Sequence, residues 1–213
     1  MRLFLSSFRL GNQPQKLAQL AGNNKQALII VNACDEFNES DRQVRVRQEV
    51  LLLRELGFDS KEIDLRKYFN DSQTQQLLHK TLTEAGLVWV RGGNSFVLRR
   101  AMKASGFDVM ITELLRCDEI AYGGYSAGAC MLSPSLKGIE MVDDPHVVPA
   151  GYDPAIVWDG LGLLPYMIVP HYKSILPESE AVDRLVQHYT DHKILFRALT
   201  DEDVVIVDGR IGK

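Results

Sequence analysis

A serine set between glycines is the residue in this chain best placed for nucleophilic chemistry. Residues 124–128 read Gly-Tyr-Ser-Ala-Gly and follow an apolar run. The Gly-x-Ser-x-Gly pattern is typical of a strand that turns sharply into a helix with the serine hydroxyl at the turn. Such a turn strains the serine backbone and needs small neighbours, so that strand and helix can pack closely. Ser126 is therefore a candidate nucleophile, and the alternative is a glycine-rich turn with an idle serine.

A histidine at the end of another apolar run is the candidate general base. Residues 167–171 read Met-Ile-Val-Pro-His. A lone histidine is often a structural residue, but an alcohol needs a base within hydrogen-bond reach to react near neutral pH. His171 is therefore paired with Ser126 in this hypothesis, and His146 is kept in reserve.

The base in turn needs a carboxylate that fixes its tautomer and stabilises the imidazolium. A serine, acid, histidine order along the chain is known for nucleophiles of this type. The acidic residues between the two candidates are Glu140, Asp143, Asp144, Asp153 and Asp159. Most acidic side chains in such a loop are simply solvated, so composition alone does not choose among them.

The turn Gly92-Gly93-Asn94 follows a third apolar run and has two compatible interpretations. As structure, it ends a strand and begins a helix, with Asn94 as the N-cap. As function, a glycine N–H here could donate one hydrogen bond to an oxyanion, and the Ala127 N–H could donate the other.

The alternation of apolar runs and amphipathic stretches positions these residues. It predicts an α/β fold, a three-layer arrangement in which helices cover both faces of a mostly parallel central sheet, in one domain over residues 1–213. Ligands bind beyond the carboxyl ends of such strands, which is where the three candidate segments fall. Strands are predicted at 2–6, 27–32, 61–65, 87–90, 120–125, 167–171, 194–198 and 204–207, the last two as a hairpin-like edge. Helices are predicted at 16–21, 41–56, 72–85, 96–105, 109–115 and 177–189.

Residues 136–162 form the longest stretch without clear periodicity. The segment is rich in Asp, Pro and Gly. A loop of this length in a compact domain is usually functional or flexible.

Composition narrows the classes of function. The 213 residues are 46% hydrophobic, with a formal net charge of −4 and no run of basic residues, which argues against nucleic acid or an anionic membrane as the main partner. Three widely spaced cysteines without metal-type spacing favour reduced thiols in the cytoplasm. The sequence has no apolar stretch of membrane-spanning length. The expected molecule is a cytoplasmic monomer or homodimer.

Taken together, the segments 90–96, 124–129 and 170–172 resemble, in order and spacing, the aspartyl dipeptidase (dipeptidase E) family of serine peptidases. The resemblance implies a fold like that of the class I glutamine amidotransferases, without metal or cofactor. It also implies that Ser126 is the nucleophile and His171 the base, with Gly93 and Ala127 as oxyanion donors. In the relatives the acid lies in a stretch like 141–144, which favours Asp143, with Glu140 as the alternative.

The same resemblance implies hydrolysis of short peptides that carry an N-terminal aspartate. Gly92, Asn94 and Lys137 are then candidate substrate-binding residues. Selection of an acidic side chain requires a nearby cation, for which Lys137, Lys173 and Arg91 are the candidates. Three alternatives remain: a peptidase for β-aspartyl or Asp-Arg (cyanophycinase-like) substrates, a small esterase, and a degenerate member that only binds a small molecule.

Overall fold

A computed structural model describes residues 1–209. Strands and helices alternate along most of the chain, as the sequence predicts. The strands are β1 (Arg2–Ser6), β2 (Gln26–Ile30), β3 (Asp59–Glu62), β4 (Leu87–Val90), β5 (Ala121–Tyr125), β6 (Met167–Val169), β7 (Phe196–Ala198) and β8 (Val204–Asp208). The helices are α1 (Pro14–Ala21), α2 (Glu39–Glu55), α3 (Ser72–Thr83), α4 (Ser95–Ala104), α5 (Phe107–Arg116), α6 (Ala127–Cys130) and α7 (Ser179–Asp191). Each of the six helices predicted from the sequence begins and ends within two residues of the observed helix.

The main sheet has six strands in the order β3-β2-β4-β5-β1-β8. All neighbouring pairs are parallel except β1 and β8, which run antiparallel. The nucleophile strand β5 lies between β4 and β1, so the segments that follow β4 and β1 flank the segment that follows β5. This fold is the α/β architecture with a mostly parallel central sheet that the sequence predicts.

The final strands are not the hairpin-like edge expected from the sequence. Strand β7 pairs in parallel with β6, with Val169 opposite Ala198, and these two strands form a separate small sheet. Strand β8 instead closes the edge of the main sheet against β1. The strand that precedes His171 therefore belongs to a different sheet from the strand that precedes Ser126.

Apolar side chains alternate between the two faces of the main sheet, which explains why both faces are covered by helices. On β4, Val88 and Val90 face one core, while Leu87 and Trp89 face the other. The first core contains buried residues of α3 to α7, and the second contains buried residues of α1 and α2.

Within residues 1–209, no helix has both the length and the apolar character needed to cross a lipid bilayer. The same residues hold no group of three or more His, Cys, Asp or Glu side chains that could bind a metal ion.

Candidate active site

Ser126 lies between β5 and α6 in an uncommon backbone conformation. Its φ is 50° and its ψ is −120°. Its backbone N–H donates to the carbonyl oxygens of Ser6, at 3.3 Å, and Ser7, at 3.1 Å, at the end of β1. A non-glycine residue keeps such a conformation only where its surroundings hold it, and strained residues of this kind cluster at functional sites.

Glycine allows α6 to lie directly against the end of β4. A Cβ atom on Gly128 would come within 2.3 Å of the Val90 carbonyl oxygen, so no larger residue fits here without moving the helix. Helix α6 itself is short, spanning only Ala127–Cys130.

Two backbone N–H groups near Ser126 are free to bind an anion. Neither the Gly93 N–H nor the Ala127 N–H donates a hydrogen bond to any group within residues 1–209. Gly93 has a φ of +147°, which side chains rarely adopt, and Gly93 and Ala127 line the same cavity as Ser126. Free donors beside a hydroxyl are what a developing oxyanion requires.

His171 is held by a carboxylate from a distant part of the chain. Its Nδ1 lies 2.8 Å from Asp201 Oδ1, and its side chain is 9% exposed. His171 also has a positive φ, of 61°. An Nδ1 hydrogen-bonded to a carboxylate carries the proton, which leaves Nε2 with the lone pair of a base.

Asp201 is fixed at both oxygens. Ser174 Oγ donates to Oδ2 at 2.5 Å, and Ser7 Oγ donates to Oδ1 at 3.4 Å. Burial alone would raise the pKa of Asp201, but the hydrogen bonds from Ser174 and His171 outweigh it and hold the pKa below its ordinary value. The carboxylate is therefore ionised and able to stabilise an imidazolium.

Ser126 and His171 line one cavity of about 740 Å³ at the carboxyl ends of β4 and β5. No hydrogen bond within residues 1–209 joins Ser126 Oγ to the His171 ring, and in enzymes this bond often tightens only when substrate binds. Both signs of charge line the cavity. The cationic lining residues are Arg9, Arg45 and Arg91, and the acidic ones are Glu36, Asp143, Asp144 and Glu178.

The acid expected from the resemblance does not contact the histidine. Asp143 lines the cavity, but its Oδ2 accepts the Ser95 N–H at 2.8 Å, and it makes no hydrogen bond or ion pair with His171. Burial raises the pKa of Asp143, although the bond from Ser95 opposes this. The alternative, Glu140, is exposed, accepts the Gly138 N–H at 2.6 Å and lies outside the cavity lining. The hydrogen-bond partner of the ring is Asp201.

The other candidates for substrate binding separate into two groups. Gly92 and Asn94 line the cavity, whereas Lys137 is exposed and lies outside its lining. The Asn94 side chain caps α4 by accepting the N–H groups of residues 96 and 97, and its Nδ2 donates to the Asp144 carbonyl at 2.9 Å. These bonds use the amide oxygen and one N–H of the amide nitrogen, so Asn94 holds the turn that follows β4.

Lys173 and His146 lie outside the cavity lining, and Cys130 is unsuited to act as a nucleophile. Lys173 is exposed over the Tyr172 ring, and His146 is exposed outside the cavity lining. Cys130 is a buried thiol that donates to the Ile168 carbonyl, and burial raises its pKa, so it is a poor nucleophile.

Arg91 is the only one of the three suggested cations that lines the cavity within the described part of the chain. It is paired with the buried carboxylate of Glu49, which also accepts hydrogen bonds from Trp89 Nε1 and the Tyr125 hydroxyl, each at 2.8 Å. This network holds Tyr125, the last residue of β5, which directly precedes Ser126.

Asp201 was not among the sequence candidates, because the expected serine, acid, histidine order limited them to residues between Ser126 and His171. Asp201 follows β7 as His171 follows β6, and carboxyl ends of parallel strands meet at the same edge. Parallel pairing of 167–169 with 196–198 would have been the signal for it.

The chain is similar in sequence to known peptidases. A family model described as peptidase family S51 matches residues 8–211. The chain belongs to peptidase family S51.

Two curated proteins are similar in sequence to part of this chain. The uncharacterized peptidase Lin0382 of Listeria innocua is 29% identical over 143 residues, which cover 66% of this chain and 66% of that protein. Peptidase E of Escherichia coli (strain K12 / DH10B) is 30% identical over 119 residues, which cover 56% of this chain and 48% of that protein. The match spans about half the length of the peptidase E relatives.

Solved structures share the fold. A protein of Listeria monocytogenes EGD-e, provisionally named peptidase E, superposes with a TM-score of 0.75 at 23% identity, covering 98% of this chain and 95% of that chain. A peptidase from an acI-B1 Actinobacterium superposes with a TM-score of 0.60 at 16% identity, covering 87% and 74%. These two likenesses concern the fold, which in this chain matches that of other peptidases.

Proposed function

We propose that this family S51 protein is a serine peptidase that hydrolyses short peptides with Ser126, His171 and Asp201 as its catalytic triad. The observation that supports this most strongly is the convergence of a strained serine and a carboxylate-bound histidine on one cavity. Family membership independently favours peptide hydrolysis.

In the proposed reaction, His171 Nε2 takes the proton of Ser126 Oγ as the oxygen attacks the peptide carbonyl carbon. The Gly93 and Ala127 N–H groups bind the resulting oxyanion, and the ionised Asp201 stabilises the imidazolium. The tetrahedral species collapses to an acyl-enzyme when His171 returns the proton to the leaving amine. Water, deprotonated by the same imidazole, then hydrolyses the ester and releases Ser126.

The finer part of the proposal is a preference for an N-terminal aspartate. It is supported by the resemblance of segments 90–96, 124–129 and 170–172 to the aspartyl dipeptidase family and by the presence of arginines in the cavity lining. Arg91 is already paired with Glu49, so Arg9 and Arg45 are the better placed of the three to bind an added carboxylate. We place the activity in the cytoplasm because Cys34, Cys117 and Cys130 are all free thiols.

The test is a comparison of Asp-Leu, β-Asp-Arg and p-nitrophenyl acetate as substrates for the wild type and for Ser126→Ala. We expect Asp-Leu hydrolysis, lowered on the order of 10⁶-fold by Ser126→Ala, because only the oxyanion donors and substrate binding then remain to accelerate the reaction. The control Ser105→Ala removes a buried hydroxyl that lies outside the cavity lining and should retain activity.

The possible outcomes separate the rival functions. Turnover of β-Asp-Arg alone would show that the triad acts on β-aspartyl substrates. Turnover of the ester alone would identify an esterase. Equal activity of Ser126→Ala and the wild type would refute the proposed nucleophile. Absence of turnover for all three substrates would favour a binding protein.

A further inference from the structure

Ser7 contacts all three proposed catalytic residues. It follows β1 directly and is fully buried. Its carbonyl oxygen accepts the Ser126 N–H at 3.1 Å, and its Oγ accepts the His171 backbone N–H at 2.7 Å. The same Oγ donates to Asp201 Oδ1 at 3.4 Å. Ser7 therefore links three residues that are far apart in the sequence, Ser126 through its backbone carbonyl and His171 and Asp201 through its hydroxyl.

These contacts cross the boundary between the two sheets. Ser126 follows a strand of the main sheet, whereas His171 and Asp201 follow the two strands of the small sheet. Ser7 lies at the end of β1, next to β5, and its own N–H donates to the Asp203 carbonyl at 3.2 Å. The relative position of nucleophile and base thus depends on how the small sheet is attached to the end of β1.

We infer that Ser7 is a positioning residue that holds the His171–Asp201 pair in place relative to Ser126. This inference rests on the proposed function, since it assumes that the three residues react together. The hydroxyl accepts from the backbone of His171 and donates to the carboxylate of Asp201, so one oxygen atom fixes both partners of the imidazole hydrogen bond. Ser174 holds the other carboxylate oxygen, which leaves Asp201 little freedom to turn.

Removal of the Ser7 hydroxyl tests this positioning role while the contact between Ser7 and Ser126 is kept. Ser7→Ala deletes the acceptor of the His171 N–H and one donor to Asp201, but keeps the backbone carbonyl that binds the Ser126 N–H. The nucleophile stays in place while the base and acid lose a common anchor. A displacement of about 1 Å between reacting groups can cost about 10²-fold in rate.

The experiment compares the wild type, Ser7→Ala, Ser7→Cys and the control Ser105→Ala. Ser105 is also fully buried with a bonded hydroxyl, which donates to the Ala101 carbonyl at 2.7 Å, but it contacts none of the three residues. The measurements are the rate of Ser126 labelling by a fluorophosphonate, the proton NMR resonance of His171 Nδ1–H, assigned by its loss in His171→Gln, and the thermal midpoint.

We expect Ser7→Ala to slow labelling about 10- to 100-fold and to shift the His171 resonance. Ser7→Cys, whose thiol is a weak donor and acceptor, should lie between it and the wild type and provides the test if the alanine variant does not fold. Ser105→Ala should lower the thermal midpoint but leave the labelling rate and the resonance unchanged.

Wild-type labelling and an unshifted resonance in Ser7→Ala would overturn the inference, as would an equal effect of Ser105→Ala. Failure of the proposed function would look different, because the wild type itself would then remain unlabelled at Ser126. In that case the His171 resonance still decides whether Ser7 positions the imidazole.

Discussion

The pKa values of two aspartates near His171 are shifted in opposite directions. Burial raises the pKa of Asp143, whereas hydrogen bonds from Ser174 and His171 outweigh burial and lower the pKa of Asp201. A carboxylate that stabilises an imidazolium must be ionised and in contact with the ring. Only Asp201 meets both conditions among the described residues, since Asp143 instead accepts the Ser95 N–H.

Substitution of each aspartate separates their roles. Asp201→Asn should lower kcat/KM on the best short-peptide substrate by about 10⁴-fold, because the wrong imidazole tautomer is then favoured. Asp143→Asn should have a smaller effect, since its amide oxygen can still accept the Ser95 N–H. Proton NMR should show the His171 Nδ1–H resonance lost in Asp201→Asn and kept in Asp143→Asn. The reverse pattern would return the acid role to Asp143.

The raised pKa of Asp143 also has a consequence for stability. The folded state binds this proton more tightly than the unfolded chain, so the contribution to stability is full below the unfolded pKa of about 3.9 and is lost as the pH rises towards the folded pKa. Asp143→Asn should therefore increase the free energy of unfolding at pH 7, with the gain disappearing near pH 3. Guanidinium chloride unfolding at both pH values measures this, with Asp144→Asn at the exposed neighbour as control. A gain of equal size at both pH values would contradict the assignment.

At the scale of elements, residues between 139 and 147 of the segment 136–162 form part of the cavity wall, and hydrogen bonds anchor the segment. The Arg100 guanidinium donates to the carbonyls of four loop residues, Pro145, Val147, Pro154 and Ala155. The Tyr152 hydroxyl donates to Asp35, and both side chains are buried. These anchors could not be predicted from the sequence, because they join the loop to helix α4 and to the segment after β2.

Loss of the Arg100 anchor should loosen this wall. Arg100→Ala leaves several carbonyls without a donor and should destabilise the protein by about 2–4 kcal/mol. Limited proteolysis should then cleave within 145–155 faster than in the wild type. Arg184→Ala on the exposed face of α7 is the control and should change neither quantity. Unchanged proteolysis of Arg100→Ala would show that other contacts hold the loop.

Helices α4, α5 and α7 were predictable from the sequence because their apolar residues repeat at helical spacing over several turns. The strand pairing was less predictable, since 194–198 and 204–207 are short and their pattern carries no information about partners. Pairing of β7 with β6 rather than β8 depends on contacts between distant segments. That pairing explains why Asp201 was not predicted as a site candidate, whereas Ser126, His171 and Gly93 stand in recognisable local motifs. Ser7 was not predicted because it stands in no such motif and its contacts are with distant segments.

For the molecule as a whole, two sheets supply different parts of the proposed site. The main sheet carries the nucleophile and the two free N–H groups, and the small sheet carries the base and its carboxylate. In this proposal, catalysis depends on the contacts that hold the small sheet in place relative to the main sheet. Such an arrangement makes the active site sensitive to substitutions in either sheet.

The most direct test is a crystal structure of the protein after reaction with a fluorophosphonate. We expect density joining phosphorus to Ser126 Oγ, with the phosphonyl oxygen within hydrogen-bond distance of the Gly93 and Ala127 N–H groups and His171 bound to Asp201. An adduct on another residue, or an adduct on Ser126 with His171 bound to Asp143, would contradict the proposed mechanism.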